Sequence, residues 1–204
     1  MVQIKKEEID QRIRKVARDL FLDLGYQKVS MRRIASQCQV SVSNLYTYYR
    51  KKEDLFDALA EPVLSDLQEM GLDRIPQEWR TSPPAFKEDL DRITGQMVAY
   101  IWANQEALRL LFHKAEGSHR GDFRQDLITR FVRMEQKAAE EKGRLEHFSI
   151  EISPQMVEGI CSLYIHAIDT FLREKQGEEQ LKDHIKTLNR FVKSGLTGIM
   201  DSVW

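Results

Sequence analysis

Apolar residues recur along this chain at steps of three and four, with almost no strict alternation. Ile9, Ile13, Val16, Ala17, Leu20, Phe21 and Leu24 form one such stripe, the signature of an amphipathic helix, and Gly25 supplies its C-terminal stop. After Tyr26 to Val29, Ser30 is placed to cap a short helix carrying Met31, Ile34 and Ala35. Gln39 and Val40 interrupt the pattern, and Ser41 caps a second short helix with Leu45 and Tyr49 as its inward residues, four apart. A fourth helix starts near Lys51 and runs through Leu55, Phe56, Leu59, Val63, Leu64 and Leu67, with Pro62 bending it or removing one of its hydrogen bonds.

Residues 71–84, with three prolines and Gly71, read as a linker inside one helical body. Helices are then expected near 84–103, 105–115, 120–142, 154–175 and 179–202. The fold class is all-α. Five prolines and ten glycines in 204 residues, with 42% hydrophobic and 31% charged residues, agree with a helical globular chain that builds a core.

Charge adds an asymmetry that the net value of −1 conceals. Met1 to Asp54 holds twelve Lys and Arg against seven Asp and Glu, a net of +5. The remainder holds nineteen against twenty-five, a net of −6. A basic front joined to an acidic body points the front at a polyanion. No apolar run is long enough to span a membrane, and MVQIKKEEID lacks the apolar core of a signal peptide. Cys38 and Cys161 lie far apart without metal-ligand spacing, so a cytoplasmic protein with two reduced thiols, no cofactor and no metal is expected.

The two short helices at 30–49, following a longer one, form a helix-turn-helix, whose second helix enters the major groove of DNA. Small polar residues at its start suit close backbone approach: Ser41, Val42, Ser43, Asn44 and Thr47. Asn44 is suited to adenine, and the methyls of Val42 and Thr47 to a thymine methyl. Arg32 and Arg33 stand in the first turn of their helix, unfavourable against the helix dipole unless a phosphate joins them, with Ser30 beside them. Tyr48 and Lys52 are expected to grip phosphate oxygens, whereas Tyr46 and Tyr49 are expected to pack inward.

Residues 9–56 resemble the DNA-binding domain of TetR-family transcriptional regulators. The resemblance rests on Ala17, Leu20, Phe21, Gly25, Tyr26, Ser30, Met31, Ile34, Ala35, Val40-Ser41, Leu45-Tyr46, Tyr48-Tyr49 and Lys52 to Phe56. It departs from the family pattern at Gln39, where glycine is usual, and at Val42 and Ser43, where lysine and a small residue are common. A Gln39 held at positive φ costs about 1 kcal/mol.

The resemblance implies a domain over 1–50 that reads a double-stranded operator. It also implies a helical body over 51–204 that binds a small-molecule effector and forms a homodimer. Ile160 to Leu172, apolar around nearly its whole circumference, supports burial on two sides. So does the stripe Leu181, Ile185, Leu188, Val192, Leu196, Ile199 and Val203, with Gly195 and Gly198 permitting a close approach.

For the effector, Phe86, Leu90, Ile93, Met97 and Ile101 mark one helix face with Tyr100 beside it. Phe112, His113, Phe131, Met134, Tyr164 and His166 would add walls and polar handles. Met97, Tyr100, Phe112, His113, Phe131, Met134 and Tyr164 are the expected ligand contacts.

His113, Glu116 and His119 have metal-ligating side chains, but Gly117 ends the helix between them and the spacing does not make them converge. No catalytic or nucleotide fingerprint is present, so no enzyme is expected; the resemblance implies a regulator and, by the family's habit, a repressor. The competing class is an all-helical enzyme or small-molecule carrier with structural N-terminal helices. A third is a helix-turn-helix regulator acting through a protein partner without a ligand.

Overall fold

The computed structural model describes residues 2–69, 85–142, 153–174 and 177–201, and every described element is helical. These are α1 (Val2–Leu24), α2 (Met31–Gln37), α3 (Val42–Tyr48), α4 (Lys52–Glu69), α5 (Ala85–Ala103), α6 (Gln105–Arg109), α7 (Phe123–Lys142), α8 (Pro154–Glu174) and α9 (Glu178–Asp201). A turn of π-helix, Leu110–Lys114, continues α6. The helices begin and end within a few residues of the positions read from periodicity. The linker expected at 71–84 lies outside the described residues.

The chain divides into two compact units. One joins residues 1–67 to 104–123, and the other joins 68–103 to 124–204. The first unit is built on rings. Phe21 stacks on Tyr26 at 5.8 Å, and both meet Phe56 edge-on at 5.3 and 5.2 Å. Ile13, Ala17, Ile34, Ala35, Leu45 and Leu55 close the core around them, all fully buried. Burying each of these leucine, isoleucine and phenylalanine side chains contributes about 1.5–3 kcal/mol relative to exposure, which is what the two short helices α2 and α3 need to hold their place.

Residues 104–123 belong to this unit through specific contacts. The Tyr26 N–H donates to the Lys114 carbonyl at 2.8 Å, and Arg18 pairs with Glu106 at 2.8 Å. Arg120 forks onto both oxygens of Asp57 at 3.1 and 3.0 Å, while His119 Nε2 lies 3.0 Å from one of them. Gly117, at φ +79°, leaves room for Gln27, whose Cγ would stand 2.3 Å from any Cβ there.

In the second unit α9 packs on α5 and α8. Val98, Ile101, Ile165, Phe171, Leu172, Leu181 and Ile185 are buried in it. A polar chain crosses that core. Tyr164 donates its hydroxyl hydrogen to Asn189, and Asn189 Nδ2 donates to Thr94 Oγ1 at 2.6 Å. Asp169, also buried, is held by Arg124 at 3.2 Å and Arg173 at 2.9 Å.

Candidate nucleic-acid interface

Ser30 and Ser41 do the same local work. Each takes extended backbone before a helix and accepts from the N–H three residues on, Arg33 at 3.2 Å and Asn44 at 3.1 Å. Such caps stabilise a helix start by about 1 kcal/mol. Because the cap uses only the oxygen lone pairs, the Ser30 hydroxyl hydrogen is left to donate outward. Ser41 shares a 3.1 Å contact with Ser43 Oγ.

The turn between the helices closes by two bonds, Val40 N–H to Ala35 O at 3.1 Å and Gln39 N–H to Ser36 O at 3.2 Å. This pair is a Schellman motif, and it requires a left-handed residue where glycine is common. Gln39 takes that conformation, at φ +55°.

Leu45 and Tyr49 anchor α3 as expected, 0% and 7% exposed. The Tyr49 hydroxyl donates to Asp10 Oδ1 at 2.7 Å, tying the end of α3 to α1. Burial, reinforced by that bond to a carboxylate, pushes the Tyr49 phenol well above its usual range.

The outer face carries Ser43 and Thr47 exposed, with Val42, Asn44 and Tyr48 half-buried. The Thr47 hydroxyl donates to the Asn44 carbonyl at 2.7 Å, so its hydrogen is spent within the helix. Arg32 and Arg33 are exposed on α2 beside the Ser30 cap.

One expectation needs correcting, and a second residue has partners that the sequence did not suggest. Tyr46 does not pack: it is 47% exposed, because in a seven-residue helix the inward places go to Leu45 and Tyr49, and the next position in the chain turns away. Lys52, expected to grip phosphate, is half-buried and already has partners within the protein. Nζ donates to the carbonyls of Tyr26 at 2.9 Å and Val29 at 3.0 Å, and lies 3.8 Å from the Tyr26 ring centroid. Those carbonyls follow the end of α1, where backbone acceptors lack intrahelical donors, and the lysine satisfies them. Burial lowers the Lys52 pKa, opposed by the Glu53 charge. Sequence periodicity held no sign of this, since the acceptors lie 26 and 23 residues away. The exposed cations at this end are Arg50 and Lys51.

The seven expected effector contacts do not assemble in one unit. Met97, Tyr100, Phe131 and Tyr164 lie in the second, all half-buried. Phe112 and His113 lie in the first. Phe112 is a core residue there, 5% exposed with its ring 5.7 Å from Phe123. The Tyr164 hydroxyl is committed to Asn189, and burial raises its pKa, as does nearby Cys161. The side chains of Met134, Phe86, Leu90 and Ile93 lie outside the described residues. Sequence reasoning named neither Asn189 nor Thr94, because a single polar residue on an apolar helix face looks the same whether paired or solvated. His119 faces Asp57, and among the described residues no group of three or more His, Cys, Asp or Glu is placed to hold a metal. No helix among them is long and apolar enough to cross a membrane.

Residues 13–59 match the model of the tetR family of bacterial regulatory proteins. Over 67 residues the chain is 31% identical to the tetracycline repressor protein class A from transposon 1721 of Escherichia coli. Residues 13–59 are thus a segment of the tetR type. The alignment with that repressor takes in 33% of this chain and 31% of the relative, so the chain spans about a third of the length of the curated relative it matches.

Likeness of fold extends much further than likeness of sequence. NalD, the secondary repressor of the MexAB-OprM multidrug efflux pump in Pseudomonas aeruginosa, superposes with a TM-score of 0.63 at 18% identity, covering 91% of this chain and 96% of NalD. A TetR-family transcriptional regulator from Syntrophomonas wolfei superposes with a TM-score of 0.60 at 17% identity, covering 94% and 97%. At those identities the likeness concerns the fold alone.

Proposed function

We propose that this protein is a ligand-responsive transcriptional regulator, a repressor that binds a palindromic DNA operator as a homodimer and is released by a small molecule. The observation that carries the reading is the outer face of α3. Ser43, Tyr46 and Thr47 are presented to solvent by a helix whose other side is locked in an aromatic core, within the stretch that matches the family. A rigid helix with small polar and apolar tips is suited to a groove, and Ser30, Arg32, Arg33 and Tyr48 flank it for phosphates. The matched relative is named as a repressor of this class, which supports the direction of control.

The division of labour follows: residues 1–50 read DNA, and residues 51–204 bind the effector and dimerise. Exposed Met156, Leu163 and Phe191 on α8 and α9 support the dimer, and Gly195 has nothing within 4 Å of its missing Cβ. Large apolar side chains left in water on adjacent helices favour a self-complementary partner. A two-fold axis would set the two copies of α3 about 34 Å apart, one DNA turn.

Selection of bound fragments from random duplexes, followed by salt titration of the winner, tests this. The expected result is a palindromic site whose affinity falls steeply with salt. Tyr46→Ala is expected to weaken that site by about tenfold, one good contact, while leaving competitor DNA unchanged. Absence of salt-dependent duplex binding overturns the proposal and favours the enzyme or carrier reading.

A further inference from the structure

Pro62 sits inside α4 and has no N–H, so the carbonyl of Ala58, four residues earlier, loses its usual helical donor. A side chain from α1 replaces it: Arg14 Nη1 donates to the Ala58 oxygen at 3.2 Å. The same guanidinium donates from Nε to Asp10 Oδ2 at 2.9 Å and lies 5.8 Å from the centroid of the Tyr49 ring. Tyr49 in turn gives its hydroxyl hydrogen to the other oxygen of Asp10. Tyr49 is the C-cap of α3, and its own N–H donates to the Leu45 carbonyl at 3.1 Å. One arginine therefore joins the end of the reading helix to the proline turn of α4, with α1 as the base.

We propose that Arg14 is a positioning residue for DNA recognition: by capping the carbonyl that Pro62 orphans while holding Tyr49 through Asp10, it sets the orientation of α3 against α4. The inference rests on the DNA-reading role of α3 proposed above. It differs from a simple phosphate contact, because the guanidinium is already engaged by Asp10, the Ala58 carbonyl and the Tyr49 ring. It also explains why a proline is tolerated at position 62. The usual loss on placing proline inside a helix combines a missing bond with a clash, and here the missing bond has a substitute donor.

The test uses the full chain and the duplex selected above. Arg14→Met keeps the apolar stem and removes every donor. The expected result is about a tenfold loss of operator affinity with the slope of log K against log salt unchanged, whereas removing a phosphate contact lowers that slope by about 0.9. Adding Pro62→Ala restores an N–H to the Ala58 carbonyl and is expected to recover several-fold of the lost affinity. Circular dichroism at the assay temperature establishes that each variant is folded, and Arg14→Lys, which keeps the charge without the fork, replaces Arg14→Met should the latter unfold. Unchanged affinity, a slope lowered by about one, or no recovery with Pro62→Ala each overturns the proposal. If the wild-type chain shows no salt-dependent duplex binding, it is the DNA-reading role that fails. Unfolding midpoints of the two single variants and the double variant then decide the clamp alone. Coupled shifts support it and additive shifts overturn it.

Discussion

Replacing Gln39 by glycine is expected to stabilise the protein, against the usual effect of introducing glycine. Gln39 occupies the left-handed position that ends α2, at φ +55°, and the bonds from its own N–H and from Val40 hold it there. A side chain with a Cβ costs about 1–2 kcal/mol in that region. Glycine removes the cost but loses about 0.5–1 kcal/mol more conformational freedom on folding. The balance favours Gln39→Gly by about 0.5–1 kcal/mol. Nothing offsets it, because the Gln39 side chain is exposed. Gln39→Ala keeps the Cβ and is expected to be near neutral.

Two measurements read the difference. A gain of about 1 kcal/mol raises the thermal midpoint of a chain this long by about 2–4 °C. The same free energy slows amide exchange at Gln39 and Val40 by about two- to five-fold if their opening is local. A Gln39→Gly protein no more stable than Gln39→Ala would refute the reasoning, since the two differ only in the Cβ that the left-handed turn disfavours.

Three further outcomes are expected. Lys52→Met should destabilise the protein by about 1–2 kcal/mol, at the low end for charge-assisted bonds because the group is half-buried, while the salt slope of operator binding stays unchanged; a slope lowered by about one would return Lys52 to the phosphate-gripping role. Asp57 responds to acid. Burial acts to raise its pKa, but the hydrogen bonds and charges of Arg120 and His119 outweigh it and hold the carboxyl below its ordinary value. Its stabilisation is therefore present above the unfolded pKa of about 3.9 and lost as pH falls through the lower native value. Urea midpoints measured from pH 6 down to 2.5 should fall less for Asp57→Asn than for wild type, and parallel curves would exclude the contribution. Finally, Phe191→Glu places a charge on the most exposed large apolar residue among those described, 68% exposed, and is expected to shift sedimentation toward the monomer; an unchanged sedimentation coefficient would move the proposed interface elsewhere.

The helices were legible because burial writes itself into sequence with a period of 3.6, and the caps because Ser30 and Ser41 satisfy donors three residues away. The left-handed turn at Gln39 came into view only through the resemblance, which puts glycine at its place; the interrupted stripe alone does not single it out from Val40. What stayed hidden were partnerships at long range. Lys52 has the same neighbours in sequence whether it grips phosphate or the carbonyls of Tyr26 and Val29. Tyr46 and Tyr49 look alike in a string, and only the rotation of α3 on its Leu45 anchor sends one outward and the other onto Asp10. The Tyr164, Asn189 and Thr94 chain joins residues up to 95 positions apart, beyond any local pattern.

Residues 104–123 pack with the head although the 34 residues 70–103 separate them from α4. The head is thus not a cassette. A graft cut after residue 67 would arrive without the Lys114 carbonyl that Tyr26 uses and without the Arg120 fork and His119 that face Asp57. Exchanging reading heads between relatives by splicing their N-termini would leave an acceptor missing on one side and a carboxylate uncovered on the other. Transplanting the reading face alone, Ser41 to Tyr48 onto an intact scaffold, avoids both mismatches.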